Sequence, residues 1–307
     1  MKAALSIILV TYNPGALVLD ALHSLPDGTG ELPIEVIIVD NASQDGTPER
    51  VAQEFPEGRL ITNADNRGFA AANNQGLAAA SGNYILLLNP DVIVHPGALA
   101  EMVIYLDKNP DVGLVGPRVF DSEKRVTLTA HVPFSVATIL WQYLGLDRLF
   151  PNWVYGHYRR GCQYAEGPFE VGWVSGCCLM MRREVYEQIG GLDDGLFLFA
   201  EEPDFCGRAA EAGWRTLFLP GASVTHYESS VVSRYTATRV RHYHLSPLYY
   251  FRKRGRESAV LALKIGFTLE LLVKTVIRLF QMAWRRDEEL ASRVQTYWDV
   301  LGEVWCY

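Results

Sequence analysis

Three acidic positions in this 307-residue chain sit where a carboxylate can do chemistry. Asp40 closes the apolar run "IEVIIVD", Asp91 follows "YILLLNP", and Glu201-Glu202 stand directly before Pro203. A carboxylate at an open strand end is a hard-cation ligand. Mg²⁺ or Mn²⁺ takes one or two such groups and completes its shell with phosphate oxygens and water. Asn89, two positions before Asp91 on the same face, adds an amide oxygen or orients a ribose hydroxyl. Glu202, aimed into the same cleft, accepts a proton from an incoming nucleophile. Neither G-x-G-x-x-G nor G-x-x-x-x-G-K-[ST] occurs, so a diphosphate would be held through a metal rather than a glycine cradle.

The elements around these residues must bring them to one edge. "ALSIILV", "IEVIIVD", "RLITN" and "NYILLLN" read as strands, the last a continuous apolar run ended by Pro90. Between them lie helical patterns: "GALVLDALHSL" starting at Asn13-Pro14, "TPERVAQEF" capped by Thr47, and "GFAAANNQGLAAA". Alternating strands and helices at this spacing predict an α/β fold with a parallel sheet, whose ligands gather at the carboxyl ends of the strands. Residues 112–172 read as loops and short elements. Beyond them come a strand "CCLMM", a helix "REVYEQIGG", a helix opened by Glu202-Pro203 and closed at Gly213, a late strand "ASVTHYES", and helix from Tyr235 onward.

Composition narrows the class. A net charge of −7 argues against a nucleic-acid binder, and 49% hydrophobic residues suit one or two globular domains. Five cysteines without C-x-x-C spacing predict reduced thiols in a cytosolic protein and no zinc site. The N-terminal "MKAALSIILVTYNPG" reads as a first strand rather than a signal peptide.

"LSIILVTYN", "IEVIIVDNASQDGT", "NRGFAAANNQG", "YILLLNPDV" and "GGLDDGLFLFAEEPDFCGRAAEAGW" follow one another as in family 2 glycosyltransferases. The chain resembles that family over roughly residues 4–230, most closely its rhamnosyltransferase-like bacterial members. The resemblance implies a GT-A fold and inverting transfer of a sugar from a nucleotide diphosphate with Mg²⁺ or Mn²⁺. It implies a catalytic domain over 1–234, with a nucleotide-binding half to about 92 and an acceptor half beyond; the pattern of the remaining residues predicts a helical region over 235–307. Thr11, Tyr12 and Asn13 would line the nucleotide pocket, and Asp40 would accept the ring N–H of uracil or thymine. Asn66, Arg67, Gly68 and Asn73 would close it, with Asn89 beside the diphosphate. Asp91 and His226 would bind the metal, and Glu202 would be the base. Trp173, Ser175, Gly176, Glu201 and Asp204 would meet the acceptor. Two departures matter: Asn89 stands where many relatives carry a first Asp, and Glu202 is more often aspartate. The implied donor is dTDP-L-rhamnose, with UDP-galactofuranose or UDP-glucose as runner-up, and the acceptor a glycan or lipid-linked saccharide of the bacterial cell surface. The competing reading is a non-catalytic nucleotide or glycan binder.

Plainer readings stay open beside these. Asp204 suits the start of a helix for its dipole alone, Asp45 and Asp193-Asp194 read as turn residues, and His226 or Trp173 could belong to the core. His242 and His244 lie in a basic, aromatic segment and would touch phosphate or solvent.

Residues 256–286 form a long apolar stretch between basic clusters. Glu270, Lys274, Arg278 and Arg285 fall in one sector at about 100° per residue, opposite Leu, Val, Ile and Phe. The pattern fits a helix lying in a membrane interface at the inner face of the cytoplasmic membrane, or one packed on protein or in a homodimer. A true span is the third choice because of the interior charges.

Overall fold

The computed structural model describes residues 3–227, 236–284 and 288–307. They form two compact units. The first comprises Met1–Pro133, Tyr155–Phe197 and Glu201–Val231, and the second Phe134–Val154, Leu198–Ala200 and Val232–Tyr307. The boundary expected at 234/235 lies outside the described residues.

In the first unit the chain runs β1 (Leu5–Thr11), α1 (Leu17–Thr29), β2 (Ile34–Asp40), α2 (Thr47–Glu54), β3 (Arg59–Thr62), α3 (Phe69–Ala79) and β4 (Tyr84–Leu88). The strands pair in parallel in the order β3-β2-β1-β4. Their side chains alternate between two apolar layers. Leu5, Ile7 and Leu9 of β1 pack with Leu22 and Leu25 of α1, whereas Ile8 packs with Ala70 and Leu77 of α3. Burial on both faces explains why these strands read as unbroken apolar runs.

Next come β5 (Val92–Val94), α4 (Ala98–Lys108), β6 (Val112–Phe120) and β7 (Ala130–His131). The second unit then contributes α5 (Val136–Tyr143) and α6 (Leu146–Leu149). The chain returns to the first unit as α7 (Gly156–Tyr164), β8 (Phe169–Glu170), β9 (Trp173–Val174), β10 (Cys178–Arg182), α8 (Arg183–Ile189), α9 (Glu201–Glu211) and β11 (Arg215–His226). The sheet continues β4-β10-β6-β11-β5, with β10 antiparallel to both neighbours and β5 antiparallel to β11. The region expected to be irregular therefore supplies β6, a nine-residue central strand. Its Gly113, Gly116 and Pro117 masked the strand pattern; an added Cβ at Gly116 would lie 2.7 Å from Val174 Cβ.

Two helix starts also differ from expectation. Asn13 does not open α1: it adopts φ 49°, and its Oδ1 accepts from Gln44 N at 2.7 Å. Thr47 does not cap α2 through its hydroxyl, which donates to Asp45 Oδ1, while left-handed Gly46 precedes the helix.

The second unit is completed by α10 (Thr236–Lys253), α11 (Glu257–Trp284) and α12 (Glu288–Cys306). Its core holds Leu248, Phe251, Leu263, Phe267, Val300 and Val304. Glu270 is not on a solvated face, as the sequence suggested, but buried against His244 at 2.7 Å. His244 is likewise buried rather than solvated. Arg285 lies outside the described residues.

Candidate active site

The carboxyl edge of the sheet is built by pairing. Parallel register sets Thr11 opposite Asp40, and antiparallel register sets Cys178 opposite Leu88. Strand β10 therefore starts where β4 ends. The residues after β1, β2 and β4, and those before β10, must share one edge.

At β2's end Asp40 is buried; its Oδ1 accepts from the Thr11 hydroxyl at 2.9 Å and its Oδ2 from Ser43 N at 2.9 Å. Asn13 N donates to Ser43 Oγ at 2.9 Å and Gly15 N to Asp45 Oδ2 at 2.8 Å. The loops after β1 and β2 are thus laced together, with half-buried Tyr12 between them. Thr11 is fully buried, and its hydroxyl orients Asp40.

Asn41 organises the next layer. Its Nδ2 donates to Asn66 Oδ1 (2.8 Å) and Gly68 O (3.2 Å), while its Oδ1 accepts from Asn63 Nδ2 (3.1 Å) and Arg67 N (3.0 Å). A buried amide using donor and acceptor together fixes loop 63–68 in one conformation. Gly68 follows at φ 84°, where an added Cβ would meet Phe197 Cδ2 and O at 2.7 Å. Asn73 is buried, its Nδ2 donating to Phe69 O inside α3. Its neighbour Asn74 faces loop 191–197, exchanging two 2.8 Å hydrogen bonds with the Leu192 backbone.

Asn89 follows β4, its N–H donating to Cys177 O at 2.9 Å. Buried Asp91 meets His226, at the end of β11, with Oδ1 and Nε2 3.1 Å apart. Burial lowers the pKa of the His226 imidazole, but its hydrogen bonds to Asp91 and Cys177 outweigh that and raise it to about 10. Among the described residues no group of three or more His, Cys, Asp and Glu is placed to hold a metal ion by itself. One carboxylate oxygen and one imidazole nitrogen fit a divalent cation that takes its remaining ligands from diphosphate and water, and do not fit a closed structural zinc site. A coordinating Nε2 must be unprotonated, so cation and proton compete there.

Glu202 lies in the first turn of α9. Its Oε1 accepts from Gly176 N at 2.9 Å, and an added Cβ at Gly176 would sit 2.6 Å from that oxygen. Burial pushes the Glu202 carboxyl up, against the opposing backbone hydrogen bonds of Glu202 and Gly176. Glu201 is buried beside it. Before the pair, Phe199 and Ala200 adopt φ of 68° and 71°, a left-handed stretch that costs side-chain-bearing residues energy. Ser175 is half-buried, its N–H bonded to Thr129 O at 3.0 Å. Half-buried Trp173 stacks on His131 at 3.8 Å between ring centroids. Asp204 is buried and accepts from Arg208 Nε at 2.8 Å, while Arg208 also holds Ile189 O and Gly191 O.

The fold thus gathers Tyr12, Asn13, Asp40, Asn66, Arg67, Gly68, Asn89, Asp91, His226, Gly176 and Glu202 about one sheet edge. Thr11 and Asn73 stand behind it, and Asp204 is engaged with Arg208. Sequence reasoning missed Asn41, Ser43, Asn74 and Cys177. The first two lay in plain view within "VDNASQDGT", and Asn74 within "AANNQG"; only the pairing of β10 with β4 exposes Cys177.

Residues 6–190 match the model of Glycosyl transferase family 2. The chain belongs to that family. The transferase is 29% identical over 266 residues to the N-acetylglucosaminyl-diphospho-decaprenol L-rhamnosyltransferase of Mycobacterium tuberculosis, covering 83% of this chain and 86% of the relative. It is 25% identical to a low-salt glycan biosynthesis hexosyltransferase of Haloferax volcanii, over 67% of this chain and 61% of that one. Its fold is the GT-A fold. It superposes on GalNAc-T7, solved with UDP, GalNAc and Mn²⁺, with TM-score 0.55 at 16% identity, covering 77% of this chain and 47% of that one. Staphylococcus aureus TarS bound to UDP gives 0.53 at 15% identity, over 87% and 65%.

Proposed function

We propose that the transferase is inverting and metal-dependent, moving L-rhamnose from dTDP-rhamnose to a lipid-linked or glycan acceptor at the inner face of the cytoplasmic membrane. The observation that carries this is the Asp91–His226 pair at the sheet edge that also holds Glu202 on Gly176. The activity for which the Mycobacterium tuberculosis relative is named supports both the sugar and a polyprenyl-linked acceptor.

In this reading Asp40, oriented by Thr11 and Ser43, accepts the ring N–H of the base, and the Asn41-held loop 63–68 closes over the nucleoside. Asp91 and His226 would hold Mg²⁺ or Mn²⁺, which would supply positive charge to offset the charge developing on the leaving diphosphate. Glu202 takes the proton of the acceptor hydroxyl as its oxygen bonds to the anomeric carbon. The bond from that carbon to the diphosphate oxygen breaks on the opposite face, and the diphosphate leaves with the electron pair. The raised carboxyl of Glu202 is the better proton acceptor for it.

A second reading, a UDP-sugar donor, meets the same contact, because uracil and thymine present the same ring N–H to Asp40. Calorimetric titration of dTDP- and UDP-sugars, with Mn²⁺ and with chelator, separates the two. The proposal expects dTDP-rhamnose to bind with metal and to lose at least tenfold in affinity in Asp91→Ala. Binding that ignores both metal and Asp91 would overturn it.

A further inference from the structure

The second unit has an unusual surface. Leu261, Ile265, Leu269, Leu272, Val276 and Leu279 of α11 are each between 39% and 66% exposed. At 100° per residue they share one side of the helix, and no charged residue falls within roughly 160° of arc there. The opposite side is the packed one, carrying buried Leu263, Phe267, Glu270 and Leu271. The helix has 28 residues, about 42 Å at 1.5 Å per residue. From Leu261 to Leu279 the strip runs about 27 Å along that axis, and a continuous apolar strip of that extent on a surface marks a binding face.

Its margins say what covers it. Trp305 of α12, half exposed, donates its indole N–H to Thr268 Oγ1 at 2.9 Å, and Lys264 Nζ lies 5.6 Å from its ring centre. On another margin Leu140 of α5 packs at Gly266, and α5 leads to Leu149, Phe150 and Trp153, which are 71%, 54% and 80% exposed. Tryptophan with lysine beside an apolar strip belongs to the water–lipid boundary, where the ring is half wet. Residues 236–284 hold nine Lys and Arg against two Glu in a chain of net charge −7. Four of the nine, Arg252, Lys253, Arg254 and Arg256, directly precede α11. The acids of α12 do not cancel this excess. No helix among the described residues is long and apolar enough to cross a membrane.

We infer that the exposed face of α11 lies in the headgroup layer of an anionic phospholipid bilayer, with the Arg252–Arg256 segment drawn to the lipid phosphates. This deepens the proposed lipid-linked acceptor and rests on that reading for its purpose. The binding itself is read without turnover, so either can fail alone. Electrostatic attraction adds to apolar burial, and the former weakens with salt.

The test is co-sedimentation of the full chain with vesicles of phosphatidylcholine and phosphatidylglycerol in equal parts, against phosphatidylcholine alone. The expected result is binding to the anionic vesicles, weaker in high salt and on neutral ones. Ile265→Glu with Val276→Glu should lower it roughly tenfold or more while thermal unfolding stays unchanged. Ile265→Gln with Val276→Gln should weaken it without adding charge, which separates lost apolar contact from repulsion. Wild type left in the supernatant, or variants that bind as well as wild type, overturns the inference. So does a homodimer that these substitutions dissociate in a chain that ignores vesicles.

Discussion

Glu202 keeps its place only while nothing larger than hydrogen occupies position 176. Gly176→Ala would set a methyl 2.6 Å from Oε1, so the carboxylate must swing away. A displacement near 1 Å costs about 10²-fold in rate; we expect kcat to fall by that order in steady-state assays, with donor KM little changed. Glu202→Gln should lower kcat by about 10²–10⁴-fold and leave donor affinity intact by calorimetry. Burial sets the pH dependence. The carboxyl is raised above its ordinary 4.5 and acts ionised, so kcat/KM falls as pH drops through a value above 4.5. An acid limb centred below 4.5 would count against Glu202 as the base.

Elements are tied to the site by side-chain amides. Asn74 on α3 exchanges two hydrogen bonds with Leu192, and nearby Phe69 N donates to Phe197 O at 2.9 Å. The segment leading to Glu201-Glu202 is thereby fixed to the helix that follows the nucleotide loop. Asn74→Ala leaves the Leu192 groups unpaired and should cost about 1–3 kcal/mol in urea unfolding. Asn74→Asp, which keeps the acceptor and loses the donor, should cost less. The four strands of the nucleotide half were legible because burial on both faces leaves unbroken apolar runs. Strand β6 was not legible, since glycines at positions 113 and 116 make room for Trp214 and Val174 rather than filling a pattern. Asn13 looked like a helix start, but Gln44 and Ser43 hold it in a left-handed turn.

The second unit depends on a buried ionic cluster. His244 Nδ1 meets Val240 O at 2.7 Å and Nε2 meets Glu270 Oε2, while Lys274 pairs with the other carboxylate oxygen. Burial pushes the Glu270 carboxyl up, and His244 and Lys274 outweigh it, leaving it lowered. A carboxyl lowered on folding stabilises above its unfolded value and loses that contribution as pH falls through its folded one. This unit should therefore weaken in acid below about 4.5. His244→Ala strands much of that charge and should cost about 3 kcal/mol, read as a lower melting temperature. Glu270→Gln should cost less, because it removes the buried charge itself.

By itself the sequence determined the α/β core, the order of its motifs and the family. Apolar periodicity and residues at strand ends are local properties, readable without knowing what they touch. Only the tertiary structure decided which oxygens are already engaged, that Thr11 and Asn73 lie behind the edge, and that Cys177 joins β10 to Asn89. It also decided which side of α11 faces the protein. The helical wheel separated a charged sector from an apolar one, and either could have packed inward. Glu270 is buried against His244, with half-exposed Lys274 reaching its other oxygen, so Glu270's side of the helix packs inward and the apolar strip is left outside.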